Sequence, residues 1–384
     1  MRNRVAVIVL TLAGAAVAEP ALAIPAFARR YKVECHFCHE GFPKLNTIGQ
    51  RFKERGFRME REDDFDGAKW IRSVPIILRA NVNRFFLEGG DGVTTSYLKA
   101  VSAGNLGGRL SYWADDALFV NWSADEDKTT HIEPDNAWLR LEIVKGNNLY
   151  AKGGRFELDI PFTQARTSHL FGYDIYFANT GLESDGIGSY QEGLELGGDL
   201  PGDAHWSAAV VKGRNDPFME ELTSEADNFD ANLFLRLHKR VSRHRLGVFS
   251  YIGRNKLALE PNQPFKDSIL RIGADASVWI QRLNLYGVYM YGRNSNSAGT
   301  GESSSFNGGF AQADYHLRDA VALTLRLNLV SQPAGDVGGP KETFSSLFPG
   351  IQVFLLNHLK LSFEYGFLNK QRDSFGAVQA EVAF

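Results

Sequence analysis

The sequence predicts an all-β fold: a sixteen-stranded transmembrane β-barrel of the outer-membrane type, with a small α-helical segment at its N-terminus as a plug. Three observations predict this fold. Apolar and polar residues alternate along many short segments, and the links between these segments are alternately short and long. The chain also begins with the pattern of an exported protein.

The composition excludes several classes of protein. The 384 residues carry 42 Lys and Arg against 45 Asp and Glu, and this net charge of −3 gives no electrostatic basis for binding nucleic acid. The 27 Phe residues exclude a disordered chain. Mean hydropathy is −0.23, and no apolar run reaches the roughly 18 residues of a transmembrane helix, which excludes a helical membrane protein. In a barrel only every second strand residue faces lipid, so the average conceals the membrane.

Residues 1–23 have the three parts of a secretory signal peptide. Arg2 and Arg4 precede the apolar run Val5–Ala18, which is too short to anchor the chain in a bilayer. Ala21-Leu22-Ala23 then offers small residues for cleavage. We therefore expect a mature chain that begins near Ile24 and is exported by a bacterium.

Both cysteines lie in Cys35-His36-Phe37-Cys38-His39, the C-x-x-C-H pattern of c-type haem attachment. Two thiols on one helical turn can add to the two haem vinyl groups, and His39 can turn its ring toward the iron as proximal ligand. A thioredoxin-like redox pair requires a βαβ context that the sequence lacks, and a zinc site requires a second ligand pair at a defined spacing. The pattern predicts one covalent haem c on Cys35 and Cys38.

The residues after the motif suggest how the haem is covered. Met59 is the candidate sixth iron ligand, which would raise the redox potential. The alternatives are that Met59 fills an apolar gap on the porphyrin, that a histidine from elsewhere binds the iron, or that the position is open. Leu45, Ile48 and Phe52 recur at helical spacing and predict a short helix that packs on the haem.

Alternation with a period of two begins at Val74. In the strand around Leu325, one face is apolar and the other carries polar residues such as Arg326. The charges on the second face disfavour a β-sandwich or a propeller, whose inner faces are dry. Sixteen strands are predicted, at 74–87, 94–103, 106–114, 136–145, 148–157, 189–198, 204–213, 229–239, 244–254, 267–279, 282–292, 307–316, 320–331, 344–355, 358–368 and 375–384.

The lengths of the links between strands predict the class of barrel. Even-numbered links are tight turns, among them Gly104-Asn105, Lys145-Gly146-Asn147, Arg240–Arg243 and Ile280-Gln281. Odd-numbered links are usually longer, for example 115–135, 158–188, 214–228 and 293–306. Short turns on one side and long loops on the other are typical of an outer-membrane barrel. The chain ends with Phe384, which resembles the C-terminal aromatic insertion signal of such proteins.

Charged residues suggest two further sites, each with a simpler alternative. Acidic loops can concentrate a divalent ion such as Fe(II), or they are merely solvated loops. Lumen-facing arginines can hold haem propionates, or they line the pore. The acidic residues are Asp115, Asp116, Asp125, Glu126, Asp127, Glu133 and Asp135 with His131, and Asp216, Glu220, Glu221, Glu225 and Asp227; the arginines are Arg236, Arg271 and Arg326.

The N-terminal residues resemble those of the fused monohaem cytochrome c–porins, whose best-known members are outer-membrane iron(II) oxidases. The likeness rests on Ile24–Tyr31, Cys35–His39, Phe42–Asn46 and Gly49–Phe57, and on the strand pattern alone for the rest of the chain. It implies three parts, with a signal peptide at 1–23, a monohaem cytochrome c segment at 24–72 and a porin-like β-barrel at 73–384.

The resemblance also implies a function. Cys35 and Cys38 would attach haem c and His39 would bind its iron. The protein would oxidise an extracellular reductant such as Fe(II) and pass electrons to a periplasmic cytochrome c or copper protein, as an Fe(II):cytochrome c oxidoreductase in outer-membrane lipid. Two alternatives stay open: an outer-membrane solute porin whose haem is a plug or sensor, and outward transfer to an extracellular acceptor. The motif does not specify iron as the donor.

Overall fold

The computed structural model describes residues 26–41, 43–59, 75–87, 92–122, 134–162, 170–178, 187–212, 231–258, 264–297, 299–318, 320–333, 339–356, 359–369 and 374–383. We refer to the described residues between 26 and 59 as the N-terminal segment. It contains helix α1 (Ala26–Tyr31), a 3-10 turn (Cys35–Phe37), the short strands β1 (His39–Gly41) and β2 (Lys44–Leu45), and helix α2 (Thr47–Glu54).

Sixteen antiparallel strands close into one barrel, in which consecutive strands pair and β18 pairs with β3. The predicted sixteen-stranded β-barrel is therefore confirmed. The strands are β3 (Ile76–Leu87), β4 (Thr94–Gly107), β5 (Leu110–Trp122), β6 (Pro134–Val144), β7 (Leu149–Glu157), β8 (Tyr190–Leu200), β9 (Ala204–Lys212), β10 (Ala231–Val241), β11 (His244–Ala258), β12 (Pro264–Ile280), β13 (Leu283–Asn294), β14 (Ser304–Arg318), β15 (Val321–Pro333), β16 (Lys341–Leu356), β17 (Leu359–Leu368) and β18 (Phe375–Ala383).

The strands turn apolar side chains outward and polar side chains inward. On β10, Leu235 is 40% exposed on the outer surface, while its neighbour Arg236 is 4% exposed in the lumen. On β15, Leu325 faces outward in the same way and Arg326 is buried. Because side chains alternate across a strand, this pattern turns an apolar face of these strands toward lipid and a polar face toward the lumen.

Most of the predicted tight turns are present at one end of the barrel. The chain reverses between Val144 and Leu149, where Gly146 and Asn147 have φ of 80° and 62°. These left-handed conformations suit Gly and Asn and form the tight reversal that a hairpin needs. Ser242, in the turn between β10 and β11, has a φ of 57°.

The predicted turn at Gly104-Asn105 is wrong. Strand β4 continues to Gly107 and β5 begins at Leu110, so the chain reverses at Gly108-Arg109. Asn105 instead lies on the buried inner face of β4, where its amide donates a hydrogen bond to the carbonyl of Phe57 at 3.1 Å. The Gly-Asn pair therefore marks a contact with the N-terminal segment and not a turn.

Three acidic residues predicted in the first long loop lie in strands instead, and one of them, Asp135, belongs to β6. Asp115 and Asp116, predicted in the first long loop, belong to β5, which runs to Trp122. The carboxylate of Asp115 is buried, accepts a hydrogen bond from the backbone amide of Asn136 at 2.7 Å and lies 3.3 Å from Lys99 Nζ. Asp115 is therefore part of the barrel wall and not a solvated loop residue.

Part of the link between β7 and β8 folds back into the barrel. Its 3-10 turn, Asp174–Phe177, buries Ile175 and Tyr176 in the aromatic cluster around Phe310. The carboxylate of Glu364 on β17 accepts a hydrogen bond from the backbone amide of Leu170 at 3.0 Å. This inward segment narrows the lumen.

Some predictions lie outside the described residues. These are the signal peptide at 1–23, the terminal Phe384 and the acidic residues at 125–133 and 216–227. Within the described ranges, no helix is both long enough and apolar enough to cross a membrane.

Candidate functional site

The N-terminal segment lies inside the short-turn end of the barrel. Its side chains pair with lumen-facing groups on distant parts of the wall. Lys44 Nζ lies 2.7 Å from Asp314 Oδ2 on β14, and Arg58 pairs with Glu142 on β6. Helix α2 also pairs with Asp203, in the turn between β8 and β9. Contacts on opposite sides of the barrel fix the segment within the lumen.

Asn46 caps the N-terminus of helix α2 and also holds the C-x-x-C-H motif in place. The side-chain oxygen of Asn46 accepts a hydrogen bond from the Gly49 amide at 2.9 Å, an N-cap of the ordinary kind. Its amide group donates to the carbonyls of His36 and Phe37 at 3.2 and 3.0 Å. A Cβ on Gly49 would lie 2.2 Å from the Cys38 carbonyl oxygen, so only glycine permits this approach.

The predicted short helix is present but differs in detail. It begins at Thr47, after Leu45, and buries Phe52, which is 7% exposed. Leu45 and Phe52 border the same cavity. Ile48 is 44% exposed, so the prediction that it packs inward is wrong.

The predicted site residues Cys35, Cys38, His39 and Met59 border one cavity of about 1240 Å³, partly open to solvent, between the N-terminal segment and strands β3 to β8. Both cysteines are free thiols and half-buried. Burial raises the pKa of each thiol, so both are protonated at neutral pH.

Aromatic rings form one side of this cysteine cavity. The rings of Phe27, Phe52 and Phe57 contact one another at centroid distances between 5.1 and 5.8 Å. Phe57 also lies 5.5 Å from Trp113 and 6.0 Å from Trp138, which belong to the barrel wall. Met59 packs against the same cluster. The surface suits a flat, apolar ligand.

Two cationic side chains that belong to no sequence motif border the cysteine cavity on the barrel side. Arg79 on β3 and Lys99 on β4 both line it. Arg79 pairs with Glu381 on β18, and Lys99 with Asp115. The inward direction of Arg79 can be predicted from the sequence, because Ile76 and Leu78 face outward and side chains alternate along the strand. The sequence does not show which inward-facing residues contact the N-terminal segment.

The three arginines suggested as propionate ligands are used elsewhere on the wall. Arg236 Nη2 lies 3.0 Å from Asp275 Oδ2. Arg271 donates hydrogen bonds to two backbone carbonyls, and Arg326 donates to the carbonyl of Phe171 at 2.7 Å. As far as the described residues outline it, the cysteine cavity includes none of the three. These contacts favour the alternative, pore lining.

Solved outer-membrane proteins share this architecture. Similar structures are OmpF of Salmonella typhi in complex with daunomycin (TM-score 0.60, 12% identity, 80% of this chain and 97% of that chain), an anion-selective porin from Comamonas acidovorans (0.59, 14%, 81% and 99%) and OmpT of Vibrio cholerae (0.59, 12%, 81% and 97%). The chain is a bacterial outer-membrane β-barrel. No protein-family profile and no curated sequence matches it, and at these identities the likeness extends to the fold alone.

Proposed function

We propose that this outer-membrane barrel carries one covalent haem c in its lumen. In this proposal it transfers electrons from an extracellular reductant, such as Fe(II), to a periplasmic cytochrome c or copper protein. The observation that carries the proposal is that Cys35, Cys38, His39 and Met59 all border one largely apolar cavity. The resemblance of the N-terminal residues to the cytochrome c–porins supports it.

The residues at the cavity fit a haem. Two free thiols in C-x-x-C-H spacing and an imidazole lie beside an aromatic surface, which is the donor set that haem c requires. His39 would bind the iron, and Met59 is the candidate second axial ligand. Arg79 and Lys99 are cations that suit propionates. When bound, the haem would supply a one-electron iron couple whose potential depends on its axial ligands and burial.

The position of the site in the barrel supports exchange with a periplasmic partner. The N-terminal segment contacts the turn that contains Asp203, and short turns face the periplasm in barrels of this class. Glu34 and His36 are exposed beside the motif, with 70% and 74% of their side chains accessible. The apolar band of such barrels is about 25 Å tall, so an extracellular reductant must approach along the lumen.

A second candidate function is that of a solute porin in which the haem is a plug or sensor. The comparisons support this alternative more directly, because the similar solved structures include an anion-selective porin. Transfer in the outward direction, to an extracellular acceptor, uses the same site and differs only in the partners.

Haem content is the first test. The full chain, produced in a bacterium that matures c-type cytochromes, is expected to hold one haem per chain that survives denaturing electrophoresis. Replacing both Cys35 and Cys38 by serine should abolish it, because no thioether can form. His36→Ala, at the variable and exposed position of the motif, is the matched control and should keep the haem. A wild-type chain without covalent haem would reject the proposal.

Redox response and conductance then separate the two functions. The oxidised protein is mixed with Fe(II) in a stopped-flow instrument while the haem bands are followed, and reduction is expected. A Met–iron charge-transfer band should be present and should be lost in Met59→Ala; its persistence would exclude Met59 as ligand. A pore that conducts freely in a planar bilayer and shows no redox response to an external reductant would instead establish the porin.

A further inference from the structure

Three neighbouring strands place a row of histidine and aspartate side chains on the lumen wall, beyond the cysteine cavity. Asp199 of β8 stands opposite His205 of β9, and His205 stands opposite His238 of β10. His205 and His238 are only 1% and 2% exposed, so both face inward. Directly opposed residues have Cβ atoms about 4.5–5.5 Å apart, which makes the three side chains one continuous row.

Helix α2 adds a carboxylate to this row. Glu54, its last residue, has Oε1 3.5 Å from His238 Nε2. His205 Nδ1 lies 2.7 Å from Asp199 Oδ1, while the second oxygen of Asp199 is 3.8 Å from Arg55 Nε. The ligand atoms of Glu54, Asp199 and His205 all lie within 4.8 Å of one another. Glu54 and His205 also border a lumen cavity of about 1390 Å³, through which an ion can arrive.

We propose that Glu54, Asp199 and His205 bind one divalent transition-metal ion, of the class that includes Fe²⁺, Co²⁺ and Zn²⁺. One imidazole with two carboxylates suits these ions, whereas Ca²⁺ and Mg²⁺ take oxygen ligands alone. Donor atoms this close converge on bonds of about 2.0–2.2 Å after small side-chain rotations. The ion ties the end of α2 to the barrel wall, and its binding does not require the proposed haem.

The nearby cation Arg240 leaves the ligand atoms accessible. Arg240 pairs with Oε2 of Glu54, so Oε1 stays turned toward the histidines. The guanidinium is shared with Asp203, whose Oδ1 lies 3.5 Å away. Arg240 Nη2 lies 3.1 Å from Nε2 of His238, so His238 flanks the ion and is not one of its ligands.

The test measures Zn²⁺ binding to the full chain in detergent, with Cys35→Ser and Cys38→Ser in every sample. This background removes both the haem and the free thiols, which would otherwise bind metal. Equilibrium dialysis with elemental analysis should find one tightly bound Zn²⁺ per chain. Its X-ray absorption edge should show nitrogen and oxygen ligands at about 2.0–2.2 Å.

Variants in this background assign the ion to the cluster. His205→Gln and Asp199→Asn should each weaken Zn²⁺ binding more than about tenfold. His244→Gln, a histidine change at the start of β11 and outside the cluster, is the control and should leave the affinity unchanged. Heat-modifiable migration on electrophoresis shows which variants have folded barrels. The two test variants change different strands, so if one of them fails to fold, the other still tests the proposal.

The proposal is overturned if the background chain binds no stoichiometric Zn²⁺, or if the folded His205 and Asp199 variants bind it as tightly as the His244→Gln control. Because every sample lacks haem, this result is independent of whether the wild-type chain attaches one. The proposed metal site and the proposed electron-transfer function can therefore be refuted independently of each other.

Discussion

Replacing Phe57 by alanine is expected to release the N-terminal segment from the barrel wall. Phe57 is 3% exposed, and its ring centroid lies 5.3 Å from that of Phe27, 5.5 Å from Trp113 and 6.0 Å from Trp138. Truncating a buried Phe costs about 3–5 kcal/mol. Since about 1.4 kcal/mol is a factor of ten, the population of undocked segment should rise about 100- to 4000-fold.

Limited trypsin digestion of the folded full chain measures that population. When the segment closes faster than trypsin cuts, the cleavage rate follows the open fraction. Arg51, Lys53 and Arg58 provide cleavage sites within the segment. Ile48→Ala is the matched control, because Ile48 lies on α2 but is exposed, and it should change the rate little. If Phe57→Ala is cut no faster than Ile48→Ala, aromatic packing does not hold the segment.

Three further predictions concern capping, a buried ion pair and pH. Asn46→Ala removes the N-cap of α2 and should destabilise the docked helix by about 0.5–2 kcal/mol, seen as faster hydrogen exchange of its amides. Lys360→Met should lower barrel stability, because the buried Glu381 carboxylate, 2.6 Å from Lys360 Nζ, then keeps its pair with Arg79 but loses its pair with Lys360. The loss should stay below the about 3–5 kcal/mol of a buried charge left uncompensated, and Lys341→Met on the exposed surface is the control in thermal unfolding. Burial, together with Asp314, raises the pKa of Glu40 against the opposing effect of Lys44. A raised carboxyl pKa favours docking at low pH, and this contribution is lost as the pH rises above the ordinary value of about 4.3; hydrogen exchange of the segment should show that dependence, and Glu40→Gln should flatten it.

The barrel was predictable because lipid and lumen act on alternate residues of every strand. Leu235 and Arg236 are adjacent on one strand, so one faces lipid and the other faces the lumen. This alternation produces a period of two that a single sequence is enough to reveal. The turn at Gly104-Asn105 was predicted wrongly because Gly and Asn serve purposes other than reversal. Asn105 accepts a hydrogen bond from Arg58 Nε at 2.8 Å, a contact set by a residue far away in the chain.

The candidate site was predictable only where its residues are neighbours in sequence. Cys35, Cys38 and His39 form a local motif, and its spacing is the one that the proposed haem attachment requires. Lys99 reaches the same cavity from β4, and His205 meets Glu54 from β9, through the closure of the barrel. Neither of these long-range placements can be predicted from a local sequence pattern, because both depend on strand register and on how the N-terminal segment docks.

The sequence separation between the N-terminal segment and the wall residues that it contacts indicates the order in which the protein assembles. The N-terminal segment is synthesised before every barrel strand, yet Lys44 bonds to Asn284 and Asp314, which follow it by 240 and 270 residues. Contacts of such separation form late, since the closure of long loops is slow. The segment therefore docks only once β13 and β14 are in place. Covalent attachment to Cys35 is therefore expected before docking, on the undocked chain, where the thiol is more accessible than in its half-buried position inside the barrel.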